Sequence, residues 1–223
     1  MSAVPSREEK KAATRARVLA TAHELFHDHG FESTTLEDVF DAAGVSKRTF
    51  FRYFPDKESL VFPNRELRHA RFVEILEASP PDEAPFDTFR RITSTFADEY
   101  TAHRGQLLAA QKLILESSAL QAREAVIDRE WELDIAELFR RRLPPGAASE
   151  RRAAVLAGAM MGTVRATMRH WYATGGIDDL NALGQEALDA LEAGFGVDPP
   201  STSACEPVPR GERSEMAAAH TNV

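Results

Sequence analysis

Two short stretches carry residue types at spacings that do chemistry, and the chemistries differ. Ser46-Lys47-Arg48-Thr49, followed by Arg52, sets three cations beside two hydroxyls, with no acid from 46 to 52. Such a cluster suits phosphate oxygens and the O6 and N7 acceptors of guanine. Thr35, Tyr53 and Lys57 can add phosphate contacts from neighbouring helix ends. The second stretch, His23-Glu24-Leu25-Phe26-His27, reads H-E-x-x-H. At that spacing two histidines on one helix face hold zinc beside a glutamate base. The longer form of the motif needs a third histidine where this chain has Ser33, and no later helix offers an evident ligand. A zinc hydrolase therefore stands only as an alternative, and the expected site holds neither metal nor cofactor.

The elements around the basic cluster must hold it rigidly. A helix ending near His29-Gly30 is followed by a short apolar-periodic one over 35–43, with Leu36, Val39, Phe40 and Ala43 on one face. Thr35-Leu36-Glu37-Asp38 has capping-box spacing, as does Ser6-Arg7-Glu8-Glu9. Ala43-Gly44-Val45 makes a tight turn into a third helix, predicted from Ser46 to about Tyr53 and capped by Ser46. Two short helices joined by a glycine-containing turn form a helix-turn-helix, whose second helix enters a major groove with its N-terminal residues on base edges. Phe26, Phe31, Phe40, Phe50, Phe51 and Phe54 crowd the same region, and Phe50 and Phe54 at i, i+4 are expected to pack against Phe26, Val39 and Phe40.

From about Arg15 to Leu60 the chain resembles the DNA-binding domain of the TetR family of bacterial transcriptional regulators. The resemblance rests on Leu25-Phe26, Gly30-Phe31, Thr34-Thr35, Ala43-Gly44-Val45-Ser46, Thr49, Tyr53-Phe54 and Lys57-Glu58. The Arg48-Thr-Phe-Phe-Arg-Tyr-Phe54 version is similar to members found in GC-rich bacteria, and arginines far outnumber lysines throughout this chain. The resemblance implies a homodimer that reads a palindromic operator on double-stranded DNA and answers to a small effector; the lack of an apolar leader segment or a membrane-length apolar run makes a cytoplasmic protein the expectation. By position it makes Thr35, Thr49, Tyr53 and Lys57 phosphate contacts and Lys47, Arg48 and Arg52 base readers. Ser46 and Phe51 complete the expected DNA-facing set. Three residues depart from the family pattern: Arg48 stands for a small residue, Phe51 for a tyrosine and Phe40 for an alanine.

Beyond residue 60, prolines cluster at 80, 81 and 85 and at 144–145, and none occurs over 86–143 or 146–198. Proline breaks helices, and apolar stripes such as Phe86/Phe89/Phe96/Tyr100 and Leu156/Met160/Trp171 have helical period. Ser149 is a predicted N-cap, and Pro63 is expected to stop or kink a helix begun at Asp56. The expected fold is all-α with about nine helices. The expected parts are a flexible basic arm at 1–12, a DNA-binding domain at 13–60, an effector and dimerisation domain at 61–196 and a disordered tail at 197–223. Phe62, Phe89, Phe96, Tyr100, Trp131, Met160 and Trp171 are candidates for an effector pocket, although any one of them could simply fill core. The last two helices, about 149–174 and 179–195, resemble the family's dimerisation pair.

The net charge of −8 runs against nucleic acid only if it is spread evenly. Instead Arg7, Lys10, Lys11, Arg15 and Arg17 and the 46–52 cluster flank an acidic stretch at 24–41. The lone Cys205 cannot form an internal disulfide. The longest apolar run, 153–164, is shorter than the roughly 18 residues of a membrane span. A helical partner-binding protein with little DNA affinity is the remaining alternative, and the basic face at 46–52 argues against it.

Overall fold

The structure, a computed structural model, describes residues 6–194. It is all-α. Among the described residues the elements are α1 (Arg7–His29), α2 (Leu36–Ala43), α3 (Lys47–Phe51), a 3-10 turn (Glu58–Leu60), α4 (Arg65–Glu77), α5 (Pro85–Ala102), α6 (Arg104–Glu116), α7 (Ser118–Arg142), α8 (Ala147–Ala173) and α9 (Leu180–Glu192). The expected tail at 197–223, Phe195 and Cys205 lie outside the described residues. No described helix is long and apolar enough to cross a membrane.

Local signals set most of the starts. Ser6 caps α1 through a complete capping box with Glu9, so residues 7–12 are helical rather than a flexible arm. Thr35 caps α2 in the same way with Asp38. Gly30 ends α1 with φ 83° and ψ 158°, a positive φ but not the left-handed helical pair expected there. Proline corrects one predicted boundary. Residues before proline avoid helical backbone, so Pro55 halts α3 at Phe51, short of Tyr53. Pro63 interrupts the next segment as expected, but what precedes it is shorter than a helix. The segment after Asp56 forms only the 3-10 turn, and α4 starts afresh at Arg65 behind Asn64 at φ 65°. Helix α8 starts at Ala147, with Gly146 rather than Ser149 in the cap position.

The helices enclose two main cores. Val18, Ala22, Phe26, Val39, Phe50, Phe54 and Leu60 form the first, between α1, α2, α3 and the 3-10 turn. Two residues from further along the chain complete it, Ile114 of α6 and Leu120 of α7. Phe72, Phe89, Phe96, Ile135, Phe139, Met160 and Leu188 form the second, among α4, α5, α7, α8 and α9.

Candidate functional site

The basic cluster sits on a short, firmly seated helix. Gly44 turns the chain between α2 and α3 at φ 61° and ψ 43°, left-handed backbone that favours glycine. Ser46 then accepts a hydrogen bond from the Thr49 backbone N–H at 3.2 Å, and the two hydroxyl oxygens lie 2.9 Å apart. Beneath them Phe50 is fully buried and its ring lies 4.9 Å from Phe40 and 5.5 Å from Phe54. Lys47 and Arg48 project from the first turn of α3, both exposed and, among the described residues, without an ion-pair partner.

The other expected DNA contacts are more constrained. Arg52 folds back over the Tyr53 ring at 4.8 Å and donates to its hydroxyl at 2.9 Å. Phe51 is half-exposed, with its ring edge against Phe40 and Phe50. The Thr35 hydroxyl donates to Asp38 Oδ2 at 2.7 Å, and these Thr35 hydrogen bonds hold the Asp38 carboxyl below the usual carboxylate range. The Lys57 ammonium lies 4.2 Å above the Phe31 ring; burial lowers its pKa, while Glu32 and Glu58 act the other way. Ser46, Lys47, Arg48 and Thr49 are thus gathered in one turn, Arg52 and Tyr53 form a second unit, and Thr35 and Lys57 stand on separate elements.

The H-E-x-x-H residues are placed differently. His23 Nε2 is 3.0 Å from the Leu60 carbonyl and ties α1 to the 3-10 turn, while Glu24 and His27 are exposed. Among the described residues no three His, Cys, Asp or Glu side chains gather to hold a metal.

A cavity of about 440 Å³ opens among helices α4 to α9, within the size range of small-molecule sites. Phe62, Phe89, Phe96, Tyr100 and Trp131 line it. Met160 and Trp171 do not. Met160 points into the second core, and its neighbour Met161 reaches the cavity instead, one step of helical phase away. Trp171 is fully buried in a small cluster with Ala97 and Leu180, and its indole N–H donates to the Asp178 carbonyl at 3.1 Å. Sequence reasoning missed Arg68, Glu124, Asp128 and Tyr172 on the wall. Glu124 and Asp128 stand at i, i+4, but Arg123, Arg129 and Glu130 beside them make the stretch read as an ordinary solvated face.

The cavity and the first core share structure. Phe62 lines the cavity and also packs against the first core. On α6, Gln111 and Leu115 face the cavity, while Ala110, Leu113 and Ile114 face the first core. Ser117 donates to Glu32, and Arg123 lies 3.4 Å from Asp56.

Comparison with known proteins agrees with this architecture. Residues 18–62 match the family described as bacterial regulatory proteins, tetR family, and residues 83–196 match the MftR C-terminal domain. The transcriptional regulator TcmR of Streptomyces glaucescens is 28% identical over 193 residues, covering 83% of this chain and 85% of its own. MftR of Mycobacterium tuberculosis is 26% identical over 190 residues, covering 83% and 93%. The fold is shared with SmeT in its triclosan complex, at 24% identity and a TM-score of 0.57 over 88% of this chain and 99% of that one. It is also shared with Thermus thermophilus FadR in complex with lauroyl-CoA, at 24% and 0.54 over 85% and 99%. One family matches over the reading helices, another over half the chain behind them, and the chain belongs to the TetR family of bacterial DNA-binding transcriptional regulators.

Proposed function

We propose that this protein is a ligand-responsive repressor, acting as a homodimer that leaves a palindromic operator when a small molecule fills the cavity. The observation that carries the reading is the bridge between the two cores, with Phe62 and α6 facing the cavity on one side and the base of the reading helices on the other. A ligand that fits one arrangement of that bridge tenfold better shifts the equilibrium by about 1.4 kcal/mol. That shift acts on the separation of two α3 helices, which must match about one turn of DNA, roughly 34 Å.

At the DNA, Lys47 and Arg48 read base edges. Thr35, Ser46, Thr49, Tyr53 and Lys57 position the backbone, and Arg52 reads bases once it leaves the Tyr53 ring. Phe51 offers apolar contact beside them. Dimerisation runs through α8 and α9. On α8, Ala154 and Val155 are exposed, and Gly162 has open space where a side chain would stand. The relatives TcmR and MftR support the regulatory reading, and the ligand complexes of SmeT and FadR support a small-molecule effector.

The test is selection of fragmented genomic DNA by the purified protein at about 0.15 M salt, where sequence-independent binding is weakened. Enrichment of a few fragments sharing a palindrome, lost on adding the effector, is the expected outcome. A folded dimer that enriches no sequence would remove the repressor reading.

A further inference from the structure

The cavity wall is chemically lopsided. Tyr100, Phe96, Trp131 and Phe72 form a chain of aromatic contacts along it, with ring centroids 6.2, 5.7 and 4.6 Å apart in turn. At the Tyr100 end the Arg68 guanidinium lies 5.7 Å from the ring centre. Of the other arginines on the wall, Arg65 is paired with Glu130, Arg165 lies 3.6 Å from Asp128, and Arg169 is exposed. Arg68 is half-buried and, among the described residues, makes no ion pair within 4.0 Å, the nearby Glu99 lining an adjoining pocket with it. The phenol groups of Tyr100 and Tyr172 stand near Arg68 and have no hydrogen-bond partner among the described residues. The Trp131 indole N–H is buried without a partner as well. Arg68 and the two phenols therefore stand at one end of the aromatic row, and the unmet Trp131 N–H lies further along it.

Resting on the effector reading above, we propose that the cavity takes an amphipathic organic anion, with an aromatic or apolar body along Phe96, Trp131 and Phe72 and a carboxylate or phenolate head held by Arg68, Tyr100 and Tyr172. Glu124 and Asp128 are also on the wall, and burial pushes both carboxyls above the usual range, which weakens their pull on a cation. Arg68 keeps its charge, because a guanidinium stays protonated at any working pH. A bound cation would meet that charge, whereas a bound anion neutralises it. A carboxylate also matches the fork of guanidinium N–H groups.

The experiment is calorimetric titration of the full-length dimer at pH 7 with three compounds of one shape: biphenyl-4-carboxylate, biphenyl-4-methanol and biphenyl-4-methylamine. The carboxylate is expected to bind at least tenfold tighter than the alcohol and the amine. In Arg68→Gln that preference should disappear while the alcohol binds as before. Tightest binding of the amine, or a carboxylate preference that survives Arg68→Gln, would overturn the head-group assignment and leave the effector cavity standing. Failure of all three compounds to bind the folded dimer would overturn both. Circular dichroism of Arg68→Gln, with Arg68→Lys as a second variant retaining charge without the fork, separates loss of recognition from loss of fold.

Discussion

Lys47 and Arg48 stand apart from the cations near them because nothing in the described chain competes for their charge, whereas Arg52 rests on Tyr53 and Lys57 on Phe31. Two kinds of loss follow on mutation. Arg48→Ala should cost about 1–3 kcal/mol on the operator and relax selection at one base pair, with little change on random DNA. Lys57→Ala should weaken all sequences alike and reduce the salt slope by about one. Competition binding across a salt series checks both, and equal losses on operator and random DNA for Arg48→Ala would remove its base-reading role. Glu124 gives a prediction in pH. A carboxyl whose pKa is raised by folding supports the fold fully below its unfolded pKa and loses that support as pH rises through the folded value. Glu124→Gln has no proton to lose. Its melting temperature should therefore match the parent's near pH 4, about the ordinary glutamate value, and exceed it increasingly toward neutral pH. The basic cluster was legible because charge and hydroxyls are contiguous in sequence. Arg68 and Tyr172 were not, since a half-buried wall residue looks like any other helical residue until its neighbours are fixed.

Capping and turn chemistry define the elements that present those residues. α3 has only five residues, so its first turn is most of the helix. Ser46→Ala removes the acceptor for the Thr49 N–H, at a cost of about 1 kcal/mol. Operator affinity should fall with it, measurable by thermal melting and binding on the same samples. Gly176, in the loop between α8 and α9, sits at φ 66°, and an added Cβ would stand 2.7 Å from Arg104 Cγ and 3.0 Å from the Trp171 ring. Gly176→Ala should destabilise the protein by about 1–3 kcal/mol, and a melting temperature equal to the parent's would show that the loop relaxes freely. Caps at Ser6, Thr35 and Ser46 could be read from spacing, because each acts within three residues. The interruption at Pro63 was legible too, whereas the end of α3 was harder, because Pro55 outweighs helical periodicity there. Breaks at His103 and Ser117 divide the proline-free stretch into α5, α6 and α7 with only weak local signals, Gly105 just past the first and the capping hydroxyl of Ser117 at the second.

At the scale of the molecule, helix count and class were legible, while the meeting of the two cores was not. Ile114 and Leu120 look like ordinary helix-interior residues in sequence, yet they close the core under the reading helices. Ile114→Ala, more than fifty residues past the last DNA-facing position, should cost about 2–5 kcal/mol. Amide exchange in α1 and α3 should speed up with it, and unchanged protection there would show that the first core stands alone. Shuffling of halves during evolution meets the same corner. A recombination point placed after Phe62 would leave the donated head without its floor, since two of the side chains beneath it belong to the other parent. Working hybrids between relatives should therefore inherit the turn from α6 into α7 together with the head.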